Sequence, residues 1–464
     1  MPDAIVENVH ITLRRTLFWL FLLAFFAVGT LLIVKTQGFV FDWENLTFAK
    51  TGGVFVRSVP GDGKIFLDGK PVKKPVSLFN KGVLIKDLAP ASYTVRVESA
   101  GRLAWEKTLI VEPGLVAAAS FIRLFPDSPE NGAEETVLSP RIAEDFWIVK
   151  GGIVEKSGGK LYWGEIPLKG TDVLESSPDR NEILTTDGDR NFYLISLSDP
   201  ETAVSVRTLF ASLAESGRFL KPRVRVDSVA LHPFSLGSLI VRYGASMFAL
   251  DTKRPSLELL MENAAPGALK KTGNEALWVT ATGTLSYNLV LGGGPALISM
   301  SGIAPESLVA DSSGSSFFAK NGEGTLFRYE RGRASSTEIA KNVRDFSFSP
   351  SENRLLIVQN DAHALFYYLE EGTGDVKAPK GALKLFPLAK GERIQSAALA
   401  LWNDDIPEYV FFERDGALIG AEMDIRSPVN AYALMDGVKK AAERDGKFIV
   451  LKNDGAITEL TLEF

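Results

Sequence analysis

The apolar positions of this chain follow two different patterns, one near the N-terminus and another over the remaining residues. The sequence TLFWLFLLAFFAVGTLLIV at 16–34 runs for 19 residues without a charged side chain. At 1.5 Å per residue, a helix of that length covers about 28 Å, close to the hydrocarbon thickness of a bilayer. The run therefore predicts a transmembrane anchor, whose two ends are formed by Thr16, Leu17, Phe18, Trp19, Leu20, Leu31, Leu32, Ile33 and Val34.

A cleaved signal peptide is the alternative interpretation of this run. Its apolar part would span about 7–15 residues and end at a small-residue cleavage site, whereas this run is longer and ends in Val34-Lys35-Thr36. An uncleaved anchor is therefore favoured. Arg14 and Arg15 precede the run, so the positive-inside rule predicts that residues 1–15 are cytoplasmic and that the chain after a linker at 35–49 is extracytoplasmic. An anchor in the reverse orientation, with a cytoplasmic body, is the other possibility.

Residues 50–125 form a second region, in which short alternating runs are separated by turn-forming residues. Runs such as GGVFVRSV at 52–59 and KIFLDG at 64–69 are typical of strands, and helical periodicity is missing. Six such runs in about 75 residues predict a small β-sandwich.

The stretch VPGDGKIFLDGK at 59–70 is rich enough in glycine, aspartate and lysine to suggest a ligand-binding loop. A phosphate loop would need Gly at position 58 and Ser or Thr at position 65, where the chain has Ser58 and Ile65. A calcium loop would need the D-x-[DN]-x-[DN]-G pattern and a closing Glu, which are missing. The stretch is therefore interpreted as two turns around one strand.

The order of the runs resembles a PEGA domain, a small extracytoplasmic β-sandwich of bacterial envelope proteins. The motifs that carry the resemblance are the turn Pro60-Gly61-Asp62-Gly63, the strand end 65–69 with Asp68 and Gly69, and the element 88–95 with Pro90 and Tyr93. The chain departs from the family at Ala91, where glycine is usual, at Gly101-Arg102, which lacks the following aromatic residue, and at Lys74-Pro75, a reduced G-x-T-P element. The resemblance implies a place outside a bacterial membrane and contact with wall or surface polymers, and it implies no reaction.

After a linker at 126–137, the region 138–464 repeats a unit of strand, polar turn, strand, tight turn and strand. Adjacent units begin about 37 to 53 residues apart, which is typical of propeller blades with variable loops. The units resemble WD40-like and TolB-like repeats but lack the G-H and W-D signatures. They predict a propeller of seven or eight blades and an all-β ectodomain; the units are 173–197, 226–251, 268–290, 306–330, 343–370, 394–423 and 438–462, with a weaker one at 144–166.

Four dipeptides at similar places in these units are expected to form tight hairpins between the second and third strands. Two-residue type I′ turns require positive φ at both central residues, which Asp-Gly and Asn-Gly supply. The predicted turns are Asp187-Gly188, Asn321-Gly322, Asp415-Gly416 and Asp454-Gly455.

Few residues are arranged for chemistry. The chain has no cysteine, and its three histidines, His10, His232 and His363, lie far apart in the sequence. Neither His232 nor His363 has a Glu or His at metal-binding spacing beside it. The carboxylates Asp187/Asp189 and Asp404/Asp405/Glu408 could hold a cation, but solvated loops are the favoured interpretation. We find no nucleophile elbow, so no catalytic, metal or cofactor-binding residue and no cofactor is predicted.

The partner classes follow from charge and aromatic content. A net charge of −6 without a dense basic cluster argues against nucleic acid. Strand tryptophans such as Trp147, Trp163, Trp278 and Trp402 are expected mostly in the core. The sequence thus predicts a non-enzymatic, single-pass binding or scaffold protein of the bacterial cytoplasmic membrane. It would contact the lipid bilayer through its helix and an envelope protein, glycan or wall polymer through its propeller; a propeller hydrolase or lyase acting on envelope polysaccharide is the alternative.

Overall fold

The fold is that of a largely β protein with one long N-terminal helix, seen in a computed structural model. The structure describes residues 3–464 except 37, 43–46, 74–81, 129–132, 178, 190, 217–225, 233–234, 263–266, 273–274, 281–282, 289–295, 299–304, 312–314, 331–332, 334, 350–352, 362, 373–377, 387–400 and 404.

The N-terminal helix α1 extends over Asp3–Thr36. It is longer than the predicted span, because it includes most of the residues expected to precede the membrane. Its segment Arg14–Thr36 is long and apolar enough to cross a bilayer, and none of its most apolar part is buried against the rest of the protein. A two-stranded antiparallel hairpin follows within the predicted linker 35–49; its strands are β1 (Phe39–Asp42) and β2 (Thr47–Lys50).

Two small sheets follow, and their inner faces share one hydrophobic core that includes Val54, Val95, Trp105 and Leu109. One sheet has the strand order β6-β3-β9 and the other β5-β4-β7-β8. Alternation explains the packing, since every second residue of β8 from Trp105 to Val111 is buried. The strands are β3 (Gly52–Val59), β4 (Lys64–Leu67), β5 (Lys70–Pro71), β6 (Val83–Leu88), β7 (Ala91–Glu98), β8 (Trp105–Val111) and β9 (Val116–Arg123).

Within the described residues, eight antiparallel sheets follow in the C-terminal region, seven with four strands and one with three. In chain order, the strands are β10 (Ala133–Val137), β11 (Asp145–Val149), β12 (Gly152–Ser157), β13 (Lys160–Trp163), β14 (Ile166–Leu168), β15 (Asp172–Ser176), β16 (Glu182–Thr186), β17 (Phe192–Ser196), β18 (Asp199–Ser205), β19 (Ser228–Leu231), β20 (Ser238–Tyr243), β21 (Ser246–Asp251), β22 (Ser256–Met261), β23 (Gly267–Thr272), β24 (Glu275–Thr280), β25 (Gly283–Asn288), β26 (Ala296–Ile298), β27 (Pro305–Ala310), β28 (Ser316–Asn321), β29 (Leu326–Glu330), β30 (Ser336–Ala340), β31 (Val343–Phe348), β32 (Arg354–Gln359), β33 (Ala364–Tyr368), β34 (Leu383–Leu385), β35 (Tyr409–Arg414), β36 (Ala417–Glu422), β37 (Ala431–Asp436), β38 (Val438–Arg444), β39 (Lys447–Lys452) and β40 (Ile457–Leu462).

These sheets pack side by side as the blades of a propeller. Six begin with an inner strand and run outward in chain order, from β11–β14 to β31–β34. The sheet β35-β36-β37 has three strands. An isolated β-bridge pairs Leu401 with Phe411 of β35, on the edge of β35 that does not pair with β36. Hydrophobic clusters fill the spaces between neighbours: Val154 of the β11–β14 sheet shares a core with Ile183 of the next one, and Phe366 shares a core with Phe412.

A strand from within the predicted linker completes the last of these sheets. Strand β10 pairs with β40 and thereby completes the sheet β10-β40-β39-β38. The predicted linker 126–137 therefore contains the outer strand of the last blade. A core shared by Phe146 and Ile449 joins that blade to the first one.

The region after α1 is not all-β as predicted, because helix α2 (Val206–Ser216) lies between the second and third of these sheets. Its side chains Val206, Phe210 and Ala214 are buried, and the first two join the core cluster of Leu194 and Val229. These buried positions are spaced by four residues, which is the periodicity of a helix and was not recognised in the sequence.

Candidate functional site

The predicted anchor residues lie on one exposed helix. Leu17, Phe18, Trp19, Leu20, Leu32 and Ile33 are all exposed, although large apolar side chains are normally buried in a folded protein. Thr16 also lies on this exposed surface, and Val34 is partly covered. Leu31 lies in the same helix.

The predicted turns of the sandwich make specific contacts. Asp68 and Gly69 have φ values of 47° and 75° and join β4 to β5 in a two-residue hairpin, as a type I′ turn requires. The carboxylate of Asp68 accepts a hydrogen bond from the Thr94 amide at 2.8 Å. In the other two turns, Asp62 of Pro60-Gly61-Asp62-Gly63 accepts from Ser99, and Tyr93 donates to the Ala89 carbonyl beside Pro90. Each of these groups thus serves a turn within the sandwich.

The predicted propeller hairpins differ from one another. Asp415 and Gly416 have φ values of 52° and 77° and separate the paired residues Arg414 and Ala417, so this turn has type I′ geometry. It joins the first two strands of the described three-stranded sheet.

The other three hairpins have longer loops and correct the prediction of two-residue type I′ turns. In Asp454-Gly455 only Gly455 has positive φ, and in Asn321-Gly322 the left-handed position falls to Gly324 instead. Gly188 likewise has no positive φ, and the loop from Asp187 extends to residue 191 before β17 begins.

Acceptor chemistry explains why Asp or Asn opens these longer loops. The Asp187 carboxylate accepts from the backbone amides of Asp189 and Asn191, both at 3.0 Å, and the Asn321 side chain accepts from the Thr325 amide at 2.8 Å. The hydrogen bond from the Asn191 side chain lowers the pKa of Asp187. These residues therefore cap loop amides rather than supply positive φ.

A buried ionic cluster joins the sandwich to the propeller. Lys107 of β8 has 0% exposure, and its Nζ lies 2.5 Å from the Glu422 carboxylate and 3.4 Å from that of Asp424. Lys107 also donates to the Asp424 carbonyl at 2.9 Å. Trp105 Nε1 donates to the other oxygen of Glu422 at 2.8 Å, and Asn430 donates to Glu422 from its amide and its side chain. We call these five residues the interdomain cluster.

The charges of the interdomain cluster are balanced by hydrogen bonds. Burial raises the pKa of Glu422, while the Lys107 ammonium and the donors around the carboxylate oppose that shift. Burial also acts to raise the pKa of Asp424, but the hydrogen bond from Arg426 and the charge of Lys107 outweigh it and lower this pKa. A lysine removed from water in this way keeps its charge only next to carboxylates.

The sequence offered one signal for this cluster, which was missed. Lys107 occupies an inward position in the alternation Trp105, Lys107, Leu109, Val111 of β8, where the other three residues are apolar. A charged residue in the buried phase of a strand indicates a buried partner. Its partner Glu422 could not be identified, since it lies more than 300 positions away; Trp105 and Glu422 are 317 positions apart.

A second feature is a polar cleft of about 490 Å³ at one end of the propeller. It is formed by the hairpins that join the first and second strands of three neighbouring blades, at 150–151, 179–180 and 444–447. The Lys150 amide donates to the Arg180 carbonyl at 2.7 Å and thus ties two of the hairpins together. Arg180 has a φ of 57°, an uncommon conformation for a residue other than glycine. We call this feature the hairpin cleft.

Two of the four cations in the hairpin cleft, Arg444 and Lys447, share the single carboxylate of Glu459. Glu459 accepts from Lys447 at 2.6 Å and from Arg444 at 2.9 Å, and these contacts lower its pKa. The hydrogen bond from Ser177 lowers the pKa of Asp179 at the rim. The Lys150 ammonium lies near Asp179 of the same cleft and contributes to lowering the pKa of that carboxyl. The cleft thus presents cations beside carboxylates that stay ionised.

The residues considered for metal binding are not brought together. His363 lies 2.7 Å from Asp361 in its own turn, and the His232 ring accepts from the Ser235 amide. Asp404 and the His10 side chain lie outside the described residues. In the part of the chain that the structure describes, no group of three potential ligands converges.

The predicted aromatic residues lie mainly in blade cores. Trp147 and Trp163 pack against the first interblade core and Trp402 against that of Phe366. The Trp278 side chain lies outside the described set.

Comparisons with known proteins found similar solved structures but no related sequence family. No protein-family model and no curated protein matches the chain. The β-propeller domain of Cps50 (Swd1) from Myceliophteria thermophila is 12% identical to this chain, with a TM-score of 0.38. The match covers 72% of this chain and 99% of the Cps50 chain. Hsv2 from Kluyvelomyces marxianus is 9% identical, with coverages of 64% and 99% and a TM-score of 0.40. The designed protein Ika8 is 12% identical, with coverages of 71% and 98% and a TM-score of 0.43.

These superpositions are too loose to carry an argument about function. The order and pairing of the sheets define the class, a β-propeller protein with one N-terminal apolar helix.

Proposed function

We propose that the protein is a single-pass, membrane-anchored scaffold of the bacterial cell envelope. The observation that supports this proposal is α1, whose apolar segment leaves its side chains uncovered by the rest of the protein. Removing one Leu or Phe side chain from water stabilises a protein by about 1.5–3 kcal/mol. The many exposed apolar residues of α1 are therefore stable in a lipid environment rather than in water. Arg14 and Arg15 favour a cytoplasmic N-terminus and an extracytoplasmic body.

The two β units have separate roles in this proposal. The two-sheet unit is a PEGA-like sandwich that spaces the propeller from the membrane, and the eight sheets form an eight-bladed ring. The interdomain cluster supports a fixed connection between them, because Lys107 would lose its only described carboxylate partners if the units separated. A rigid connection holds the propeller faces in a constant orientation towards partners.

The hairpin cleft is the contact that we propose for a protein or glycan partner. The cleft is lined by four cations and three carboxylates, so a carboxylate of the partner would complete its charge beside Lys150 and Arg180. An arginine fork binds a carboxylate through two parallel hydrogen bonds.

A propeller hydrolase or lyase acting on polysaccharide is the second hypothesis. Such an enzyme commonly uses a general acid whose pKa is raised towards neutrality. In the hairpin cleft the shifts of Asp179 and Glu459 go in the opposite direction. These carboxylates favour binding over acid catalysis at this cleft.

Partner capture with the full chain in detergent tests the scaffold hypothesis. The variant K150E/R180E reverses two positive charges of the cleft, while K160E changes an exposed lysine at the opposite end of the same blade as Lys150. We expect an envelope protein or glycan that binds the wild type and K160E to be lost, by at least about tenfold in affinity, from the double variant. Equal binding by all three proteins would remove the cleft from the proposal, and no specific partner at all would contradict the scaffold role.

A further inference from the structure

One end of the sandwich is connected to the C-terminal end of α1 by backbone hydrogen bonds through Gly38. The Gly38 amide donates to the Lys35 carbonyl in the last turn of the helix at 3.0 Å, and the Thr51 amide donates to the Gly38 carbonyl at 2.7 Å. The Gly114 amide then donates to the Thr51 carbonyl at 2.8 Å. Hydrogen-bonded backbones lie about 5 Å apart, so two such steps place Gly114 within about 10 Å of Gly38.

This end of the sandwich exposes apolar side chains. The exposed fractions are 68% for Ile110, 50% for Leu115 and 54% for Val116, although all three belong to or adjoin the strands β8 and β9. Ile110 and Val116 lie on the outward phases of their strands, and Leu115 lies in the connecting turn. We call Ile110 and residues 112–116 the sandwich tip.

A cation accompanies the apolar residues of the tip. The Lys50 side chain lies against Gly114, where an added Cβ would meet the Lys50 Cε and Nζ atoms. Lys35 lies in the last turn of the helix. The tip itself also contains the exposed carboxylate of Glu112. Apolar side chains with lysines nearby suit the boundary between acyl chains and lipid headgroups.

The opposite end of the sandwich is occupied by the propeller. Strand β8 starts at Trp105 in the interdomain cluster and ends at Val111 beside the tip. Seven residues at about 3.3 Å each put roughly 20 Å between the two ends. The tip therefore points away from the propeller and towards the end of the apolar helix.

We infer that the sandwich tip lies in the lipid interface of the same bilayer that α1 crosses. The occupant of this exposed surface is the headgroup and upper acyl region, with Leu115 and Val116 inserted and Lys35 and Lys50 facing headgroup phosphates. The sandwich is continuous with the helix, and the backbone hydrogen bonds leave the tip within reach of the interface, which is about 5–7 Å thick on each side. The inference rests on the proposed function, because it requires α1 to span the membrane.

The contact would add a second attachment to the anchor. A helix alone leaves the body free to swing, whereas a helix and a tip fix the direction in which β8 leads from the membrane to the propeller. The tip thus sets the height and tilt of the propeller above the bilayer.

Site-specific labelling of the full chain tests this inference, and the absence of native cysteine makes single-cysteine variants clean. L115C is labelled with an environment-sensitive fluorophore and reconstituted in vesicles that contain shallow-brominated phosphatidylcholine and one-fifth anionic phosphatidylglycerol. I142C, at an apolar propeller residue with 76% exposure, is the matched aqueous control. L20C in α1 is the control for the span itself. Circular dichroism verifies that each variant folds.

We expect bromolipid quenching of the Leu115 label to exceed that of the Ile142 label at least threefold. Quenching of the Leu20 label together with a Leu115 label that behaves like the Ile142 label would overturn the tip contact and leave the anchor intact. Absence of quenching at Leu20 and Leu115 would contradict both proposals. A Leu115 signal that depends on the protein-to-lipid ratio but not on bromine would identify a second copy as the occupant, and would also overturn the inference.

Discussion

Replacing Lys107 with methionine removes the cation from the interdomain cluster while keeping the length of the side chain. At an effective dielectric constant of about 20, the attraction over the 2.5 Å contact with Glu422 is about 7 kcal/mol, and desolvation cancels much of it. Removal of one member of a buried pair typically costs about 3–5 kcal/mol, because the other charge remains buried. We expect K107M to lose stability in this range.

The defect of K107M should also depend on pH in a defined direction. Burial already raises the pKa of Glu422, and loss of the ammonium raises it further. A carboxyl whose pKa is higher in the folded than in the unfolded protein stabilises the folded state at low pH. This stabilisation is lost as pH rises through the folded pKa. The defect should therefore grow between pH 5 and pH 8, and E422Q in the K107M background should reduce it.

Denaturant unfolding of the full chain in detergent measures this effect, with tryptophan fluorescence as the signal and limited proteolysis to locate the opening. R96A is the control, since Arg96 and Glu98 form an exposed ion pair in the same sheet as Lys107. Exposed pairs contribute at most about 1 kcal/mol. If K107M is as stable as R96A, or if its loss of stability becomes smaller as pH rises, the interdomain cluster does not hold the two units together.

Three further changes test the local structure. G455A should destabilise the protein by about 1–3 kcal/mol in thermal unfolding, because Gly455 has a φ of 84° and an added Cβ would meet Ile142 at 2.6 Å; G188A, with nothing within 4 Å, should stay within about 0.5 kcal/mol. Equal effects of these two changes would contradict the turn assignments. F210A should cost about 3–5 kcal/mol if α2 holds the core between its blades, and an effect below 1 kcal/mol would argue against that packing. Because the pKa of Glu459 is lowered, its contribution is present above its unfolded pKa and lost on acidification, so E459Q should differ from the wild type at pH 7 and converge with it near pH 3 in urea titrations; a constant difference would contradict the pairing with Lys447 and Arg444.

The parts of the fold that local patterns determine were predictable from the sequence. The apolar run at 16–34 and the alternation of β8 each define their element without reference to distant residues. The repeated units likewise correspond to successive sheets. The strand β10 could not be recognised as part of the ring, because its partner β40 lies at the other end of the chain.

The turns show a finer limit of sequence reasoning. Asp415-Gly416 and Asp187-Gly188 have the same letters, yet only the first has positive φ at both residues. The difference comes from where the next strand begins: Ala417 pairs at once with Arg414, whereas β17 starts only at Phe192. Loop length thus follows from strand register, which the dipeptide itself does not encode.

The candidate sites were less predictable than the fold because each is assembled from distant segments. Lys107 meets Glu422 and the hairpin cleft unites Lys150, Arg180 and Lys447 only after the ring has closed. The number of charged residues in the sequence does not predict which of them come into contact.

Density-gradient flotation after alkaline extraction measures whether α1 anchors the β body in a bilayer. The full chain is reconstituted in vesicles beside the variant L23R/F26R, which places two charges in the middle of the exposed apolar helix. Each charge at mid-membrane costs about 2.5–3.5 kcal/mol on insertion scales. We expect the wild type to float with the lipid and the variant to stay at the bottom of the gradient. A wild type that is extracted, or a variant that floats equally well, would show that α1 does not anchor the protein.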